Sequence, residues 1–197
     1  MNRHSKSIGE KLKMKSYNLN AILEAALMVT LSFVLSSFVL FKMPFGGSVT
    51  LGAACPIIIL SFRRKARLAF IAGLVYGCIQ ILLSFHVPPA KDFFSFVLVI
   101  LLDYLIPYST LGLANIFNKK HTALNIAFAS LIVCMIRCFS SILSGVIIWK
   151  SLFPEGINIW TYSILYNLSY MVPETIITSL LCVLLCKAKA IYFFENF

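Results

Sequence analysis

The sequence predicts an all-α integral membrane bundle of six transmembrane helices with both termini in the cytoplasm. Of its 197 residues, 60% are hydrophobic and 12% charged, whereas soluble domains carry about 25% charged residues. Six apolar segments, 20–41, 49–62, 68–86, 93–117, 122–149 and 160–186, reach or approach the roughly 20 residues that cross a hydrocarbon core as helix. The cations divide unevenly between alternate connections, which sets the orientation.

In chain order, span 20–41 follows a basic start containing Arg3, Lys6, Lys11, Lys13 and Lys15. That start leads into a full-length span without a small-residue cleavage site, so no cleavable signal is expected. Span 49–62 is short, bounded by Met43-Pro44-Phe45-Gly46-Gly47 and by Arg63-Arg64-Lys65-Ala66-Arg67; neighbouring helices can shield a short span. Span 68–86 ends in the loop His86-Val87-Pro88-Pro89-Ala90-Lys91-Asp92. Span 93–117 carries Asp103 and Pro107 and precedes Lys119 and Lys120. Span 122–149 contains Arg137 and ends at Trp149, followed by a loop over 150–159. Span 160–186 holds Tyr162, Tyr166, Asn167, Tyr170 and Glu174 and runs into Lys187 and Lys189. Thirteen cations thus fall on one side and three (Lys42, Lys91, Lys150) on the other. The expected division is a basic cytoplasmic segment at 1–19, a membrane domain at 20–187 and a cytoplasmic tail at 188–197. Tyr17 and Tyr192-Phe193-Phe194 read as interfacial anchors.

The net charge of +10 follows from this asymmetry and does not call for nucleic acid. All six cysteines lie in apolar stretches without a C-x-x-C pair, and the histidines fall at the start or in loops. No metal site is expected, since ligands would have to converge; the cysteines read as small apolar filler. No inverted repeat is visible, which disfavours a transporter of two related halves.

Polar side chains at bilayer depth cost free energy and usually face a bundle interior, a cavity or a substrate. At ~1.5 Å per residue, Asp103, Arg137, Asn167 and Glu174 all fall in one zone of the outer half. Arg137, Ser141 and Ser144 share a helix face, as do Ser141, Gly145 and Trp149, and Asn167, Tyr170 and Glu174. Two acids against one arginine leave a carboxylate unpaired, a cost that a cationic ligand would remove. The zone therefore reads as a site for a cation or protonatable base, with Trp149 and tyrosines as aromatic faces. Arg137 paired with Asp103 or Glu174 is the structural alternative, an ion pair holding helices together. Gly46-Gly47 permits backbone conformations suited to a loop over a ligand, or to an ordinary turn.

Met43–Gly52, Ala72-Gly73-Leu74-Val75-Tyr76-Gly77, Leu101-Leu102-Asp103-Tyr104, Leu111–Ala114, Ser144-Gly145, Pro154-Glu155-Gly156 and Tyr162–Glu174 form an ordered set. In that set the chain resembles the thiamine-binding S components of energy-coupling factor (ECF) vitamin transporters, over about residues 20–186. The resemblance implies a six-helix bundle with an outward pocket capped by the loop between helices one and two, Gly46 and Gly47 included. It implies that Trp149 stacks on the thiazolium and that the acid of the Asp103-Tyr104 pair bonds the aminopyrimidine. Tyr162 and Asn167 would hold that ring's polar edge, Tyr76 would form a wall, and Ser141 and Gly145 would line the pocket. Ser141 stands where the family can carry a histidine, and 103–108 departs from the usual pattern. A hydroxymethylpyrimidine or thiazole precursor is therefore an alternative ligand.

S components dock a shared membrane coupling subunit, driven by two ATPases, through small residues of helix one. Here Ala21, Ala25 and Val29, or Ala26 and Thr30, give that spacing; internal helix packing would use it equally. The chain has no G-x-x-x-x-G-K-[ST] loop, so the expectation is a binding subunit in the bacterial plasma membrane, without cofactor and not an enzyme. An intramembrane hydrolase would need a nucleophile beside a base, and no histidine or lysine lies at the depth of Ser141 and Ser144. A stand-alone secondary transporter is the other rival.

Overall fold

The computed structural model describes residues 3–44, 46–90, 92–117 and 122–188, with side chains from Leu19 onward. The expected cations Lys91, Lys119, Lys120 and Lys189 and the Tyr192-Phe193-Phe194 anchor lie outside these residues. So do the side chains of Arg3, Lys6, Lys11, Lys13, Lys15 and Tyr17. The elements are α1 (Arg3–Ser37), a hairpin of β1 (Val39–Lys42) and β2 (Ser48–Thr50), α2 (Cys55–Arg63), α3 (Ala66–Ser84) and α4 (Phe93–Val99). A π-helical turn (Ile100–Leu105) continues α4 into α5 (Ile106–Leu111), followed by α6 (Ala114–Phe117), α7 (Ala123–Ile147), a 3-10 turn (Trp149–Leu152) and α8 (Ile159–Lys187).

Among the described residues five helical stretches are long and apolar enough to cross a membrane: Leu19–Ser37, Ala66–Ser84, Phe93–Leu111, Ala123–Ile147 and Ile159–Lys187. Leu27, Leu82, Phe139 and Leu165 point outward from them, as side chains facing acyl tails would. The chain is an all-α membrane bundle with one small hairpin. Side-chain caps start three helices where expected from local chemistry. Asp92 accepts from Ser95 N–H at 2.9 Å, a bond that holds its carboxyl below the usual range; Thr122 and Asn158 cap α7 and α8.

The predicted span at 49–62 is corrected in its bounds, because only Cys55–Arg63 is helix. Its first residues are β2, Gly52 turns the chain with φ 74°, and Pro56 sits in the first turn of a nine-residue helix, a position where its missing N–H costs nothing. Ile57, Ile58, Ile59 and Leu60 are all buried. α2 is a short helix buried along its length, packed on α1, α3 and α8. Span one likewise ends at Ser37, because 39–42 pairs with β2 in antiparallel register, Val39 opposite Thr50 and Lys42 opposite Ser48.

The core beneath the hairpin joins Ala25 and Val29 of α1 to α2, Ala69, Ala72 and Tyr76 of α3, Val133 and Cys134 of α7 and Cys182 of α8. Ala21, Ala25 and Val29 are therefore turned inward, which corrects the docking role expected for Ala21 and Ala25. Ala26 and Thr30 face outward. A charged cluster lies on α1 one turn into the apolar stretch: Glu24 accepts from Arg63 and, at 2.6 Å, from Arg64, with all three side chains nearly buried. Removing one partner of a buried pair leaves an uncompensated charge worth about 3 kcal/mol. Glu24→Gln is expected to lower the midpoint of thermal unfolding in detergent by several degrees, more than Glu24→Gln does when Arg63 and Arg64 are both already Gln.

Candidate membrane cavity

A cavity of about 490 Å³ opens at the hairpin end of the bundle, between α3, the α4–α5 segment, α7, α8 and the hairpin. Its size is ordinary for a small-molecule site.

Asp103 is positioned by the π-helical turn. The Ile106 N–H reaches back to Leu101 O, and Pro107 has no N–H, so Leu102 O loses its helical donor. Ser140 Oγ supplies one from α7 at 2.6 Å. Such turns inside α-helices are frequent at functional sites. Here the turn aims Asp103 at α7, where Oδ2 accepts from Ser144 Oγ at 2.7 Å and Trp149 Nε1 at 3.1 Å. Trp149 Nε1 also lies 3.2 Å from Ser144 Oγ. Oδ1 has no hydrogen-bond donor among the described residues. The carboxylate and the indole are thus locked side by side at the cavity wall.

Tyr76 is buried, with its hydroxyl accepting from Gln80 Nε2 at 2.8 Å. Its ring meets Tyr108 edge-on at 4.9 Å, and Arg137 lies over the Tyr108 ring at 5.1 Å. Tyr104 donates to Ser84 O at 2.7 Å and accepts from His86 N–H at 3.2 Å, which ties the α3–α4 loop to the cavity edge. Asn167 donates from Nδ2 to Ser163 O at 2.9 Å and accepts at Oδ1 from Tyr170 Oη at 2.8 Å.

Of the residues expected from sequence, the cavity brings together Tyr76, Asp103, Tyr104, Arg137, Ser141, Gly145, Trp149, Asn167 and Glu174, with Gly46 and Gly47 at its mouth. Tyr162 is not among the lining residues. It packs behind them, 4.5 Å from Phe153 and 6.1 Å from Tyr166 by ring centroid. The expected ion pair is also corrected. Among the described residues Arg137 reaches neither Asp103 nor Glu174 within ion-pair distance; it faces Tyr108, while Glu174 accepts from Thr50 N–H at 2.5 Å and Thr50 Oγ1 at 2.7 Å. Sequence reasoning missed Thr50, Gln80, His86 and Tyr108 in the lining. Gln80 carried a readable signal, an amide in an apolar span. Thr50 and His86 carried none, because the hairpin and the loop path bring them in.

The fold and cavity define a polytopic membrane protein with a partly polar cavity of small-molecule size. The family described as thiamine transporter protein (Thia_YuaJ) matches residues 22–194, and the chain belongs to that family. It is a transport protein of the bacterial cell membrane, not an enzyme. The thiamine transporter ThiT of Bacillus subtilis (strain 168) is 29% identical over 188 residues, covering 88% of this chain and 94% of that protein. ThiT of Lacticaseibacillus paracasei is 27% identical over 139 residues, covering 62% and 65%. The solved structure of ThiT from Listeria monocytogenes has the same fold, with a TM-score of 0.73 at 19% identity over 88% of this chain and 97% of that one.

Gly145 is required by the helix contact: a Cβ there would collide with Ser163 Oγ on α8. Ser163 Oγ in turn donates to Ile142 O at 2.9 Å. Gly145→Ala is expected to lower the unfolding midpoint by several degrees, and Ser163→Ala added to it to recover part of that loss, read by thermal unfolding of the purified protein.

Proposed function

We propose that the chain is the thiamine-capturing S component of an ECF-type uptake transporter. One observation carries this reading: a carboxylate with a free oxygen, Asp103, fixed beside the indole of Trp149 at the wall of the cavity. The carboxylate offers an acceptor to the aminopyrimidine, and the indole offers a face to the thiazolium, a contact of roughly 0.5–2 kcal/mol. Asn167, Tyr104, Ser141, Gly145 and Tyr76 complete the wall on this reading. Tyr162 supports it from behind. The thiamine transporters named above are what makes thiamine the ligand to test first.

Both termini are cytoplasmic on this reading, the cavity opens outward, and the hairpin with Gly46 and Gly47 is its lid. The coupling subunit docks on the outward face of α1 at Ala26 and Thr30, and two partner ATPases supply the energy.

Isothermal titration of the purified protein with thiamine, its phosphates, the isolated pyrimidine and the thiazole is the direct experiment. Asp103→Asn is expected to weaken thiamine binding by at least about tenfold, given the roughly 1.5–3 kcal/mol of a charged hydrogen bond, and Trp149→Ala by roughly 2- to 30-fold, the equivalent of its cation–π contact. Unchanged affinity in both removes the assignment, and tighter binding of one isolated ring makes that precursor the ligand. Ala26→Trp is expected to spare vitamin binding yet abolish co-purification with the coupling subunit. Retained complex sinks the docking face, and uptake sustained without ATPases makes the chain a stand-alone transporter.

A further inference from the structure

The hairpin is fastened along one row of α8. Tyr166, Tyr170 and Glu174 are spaced by four and share a face; the two tyrosines meet the hairpin's turn and Glu174 meets β2. Tyr166 Oη donates to Gly46 O at 2.8 Å. The Tyr170 ring fills the place of a side chain at Gly47, where a Cβ would come within 2.6 Å of Cζ. Gly46 and Gly47 have φ of 95° and 83°, so this turn accepts two glycines and little else. Glu174 takes both donors of Thr50, one on each oxygen, and Thr50 Oγ1 in turn accepts from Ala53 N–H at 3.2 Å.

We propose that Glu174 is the fastener of the hairpin and not a ligand-binding carboxylate. Its two oxygens are both engaged by Thr50, and both residues are buried. A charge-assisted pair of this kind is about twice as strong as a neutral one, and leaving the carboxylate without its donors in this setting is costly. The bond therefore holds β2 against α8 at the edge of the cavity. Row and cavity are joined through Tyr170, which touches Gly47 on one side and donates to Asn167 Oδ1 on the other. Occupancy of the cavity is felt at the hairpin through that tyrosine, and Glu174 sets how readily the hairpin lifts. The consequence is a residue that governs the rate of release rather than recognition. The release part rests on the proposed reading of the cavity as a thiamine site; the fastening does not.

The exposed Lys42 at the end of β1 gives a ligand-free readout, because trypsin can cut after it only when the hairpin departs from its paired form. Tryptic cleavage at Lys42 is followed in purified full-length protein without vitamin, in wild type, Thr50→Val, Thr50→Ser, Glu174→Gln and the Thr50→Val/Glu174→Gln double variant. Both Thr50→Val and Glu174→Gln are expected to be cut about tenfold faster, Thr50→Ser at the wild-type rate, and the double variant no faster than the faster single. Wild-type rates in both Thr50→Val and Glu174→Gln overturn the fastening. Stopped-flow binding of thiamine, read from the fluorescence of Trp149 in a Trp160→Phe background, is the second arm. Both variants are expected to release thiamine about tenfold faster with association within twofold of wild type. A Glu174→Gln loss that Thr50→Val does not share makes Glu174 a ligand contact and overturns the proposal. The tryptic arm decides the fastening even where no thiamine binds.

Discussion

A carboxylate inside a hydrocarbon layer must find donors to replace water, and the architecture around the cavity follows from meeting that demand twice. Asp103 and Glu174 both lie in spans, and each is supplied by a different element. Ser144 and Trp149 of α7 and the turn after it serve Asp103. The hairpin serves Glu174. Neither acid uses Arg137, whose charge rests over Tyr108. Each solution fixes a piece of backbone: the first sets the α7 end against the π-helical turn, the second sets the hairpin against α8.

The small residues matter for the same reason. Donors and acceptors at 2.5–3.1 Å need backbones that come close. Gly145 lets α7 approach Ser163, and that approach puts Asn167 beside the Ser141 carbonyl. Gly47 lets the turn lie on the Tyr170 ring. Packing and polar satisfaction are one constraint here, because an extra methyl at either position would pull apart groups that have no water to fall back on.

Most of the bundle could be read from the sequence, since length and apolarity alone identify a span when backbone groups must be satisfied within the segment. The stretch 49–62 misled because it is as apolar as a span, yet Gly52 and Pro56 divide it into strand, turn and short helix. Helical phase found the faces bearing Arg137 and Asn167, because phase is local, and depth alone put Asp103 at their level. Neither could pair them across helices, so the Arg137 ion pair was drawn where a tyrosine ring stands instead. Tyr162 shares a row with Tyr166 but lies one turn nearer the helix start, where Phe153 comes between it and the cavity. Ala21 and Ala25 looked equivalent to Ala26 for docking, since spacing alone does not say which side of α1 meets α2 and α3. Glu24 and its two arginines were invisible as a cluster for the same reason.

The charge balance of the cavity acquires a different meaning once the pairings are known. Counting two acids against one base suggests a single surplus charge shared by the zone. In the structure the surplus is localised. Glu174 has both oxygens committed to Thr50, and Arg137 is held over an aromatic face. Asp103 keeps Oδ1 open toward the cavity while Oδ2 is bound on the wall. On the proposed reading a cation entering there meets one defined anionic oxygen next to one indole, while Arg137 stays over the Tyr108 ring. On that reading the division of labour between the acids keeps the site open: had Arg137 closed on Asp103, the cavity would have the same composition and no anionic oxygen to offer a positively charged ring.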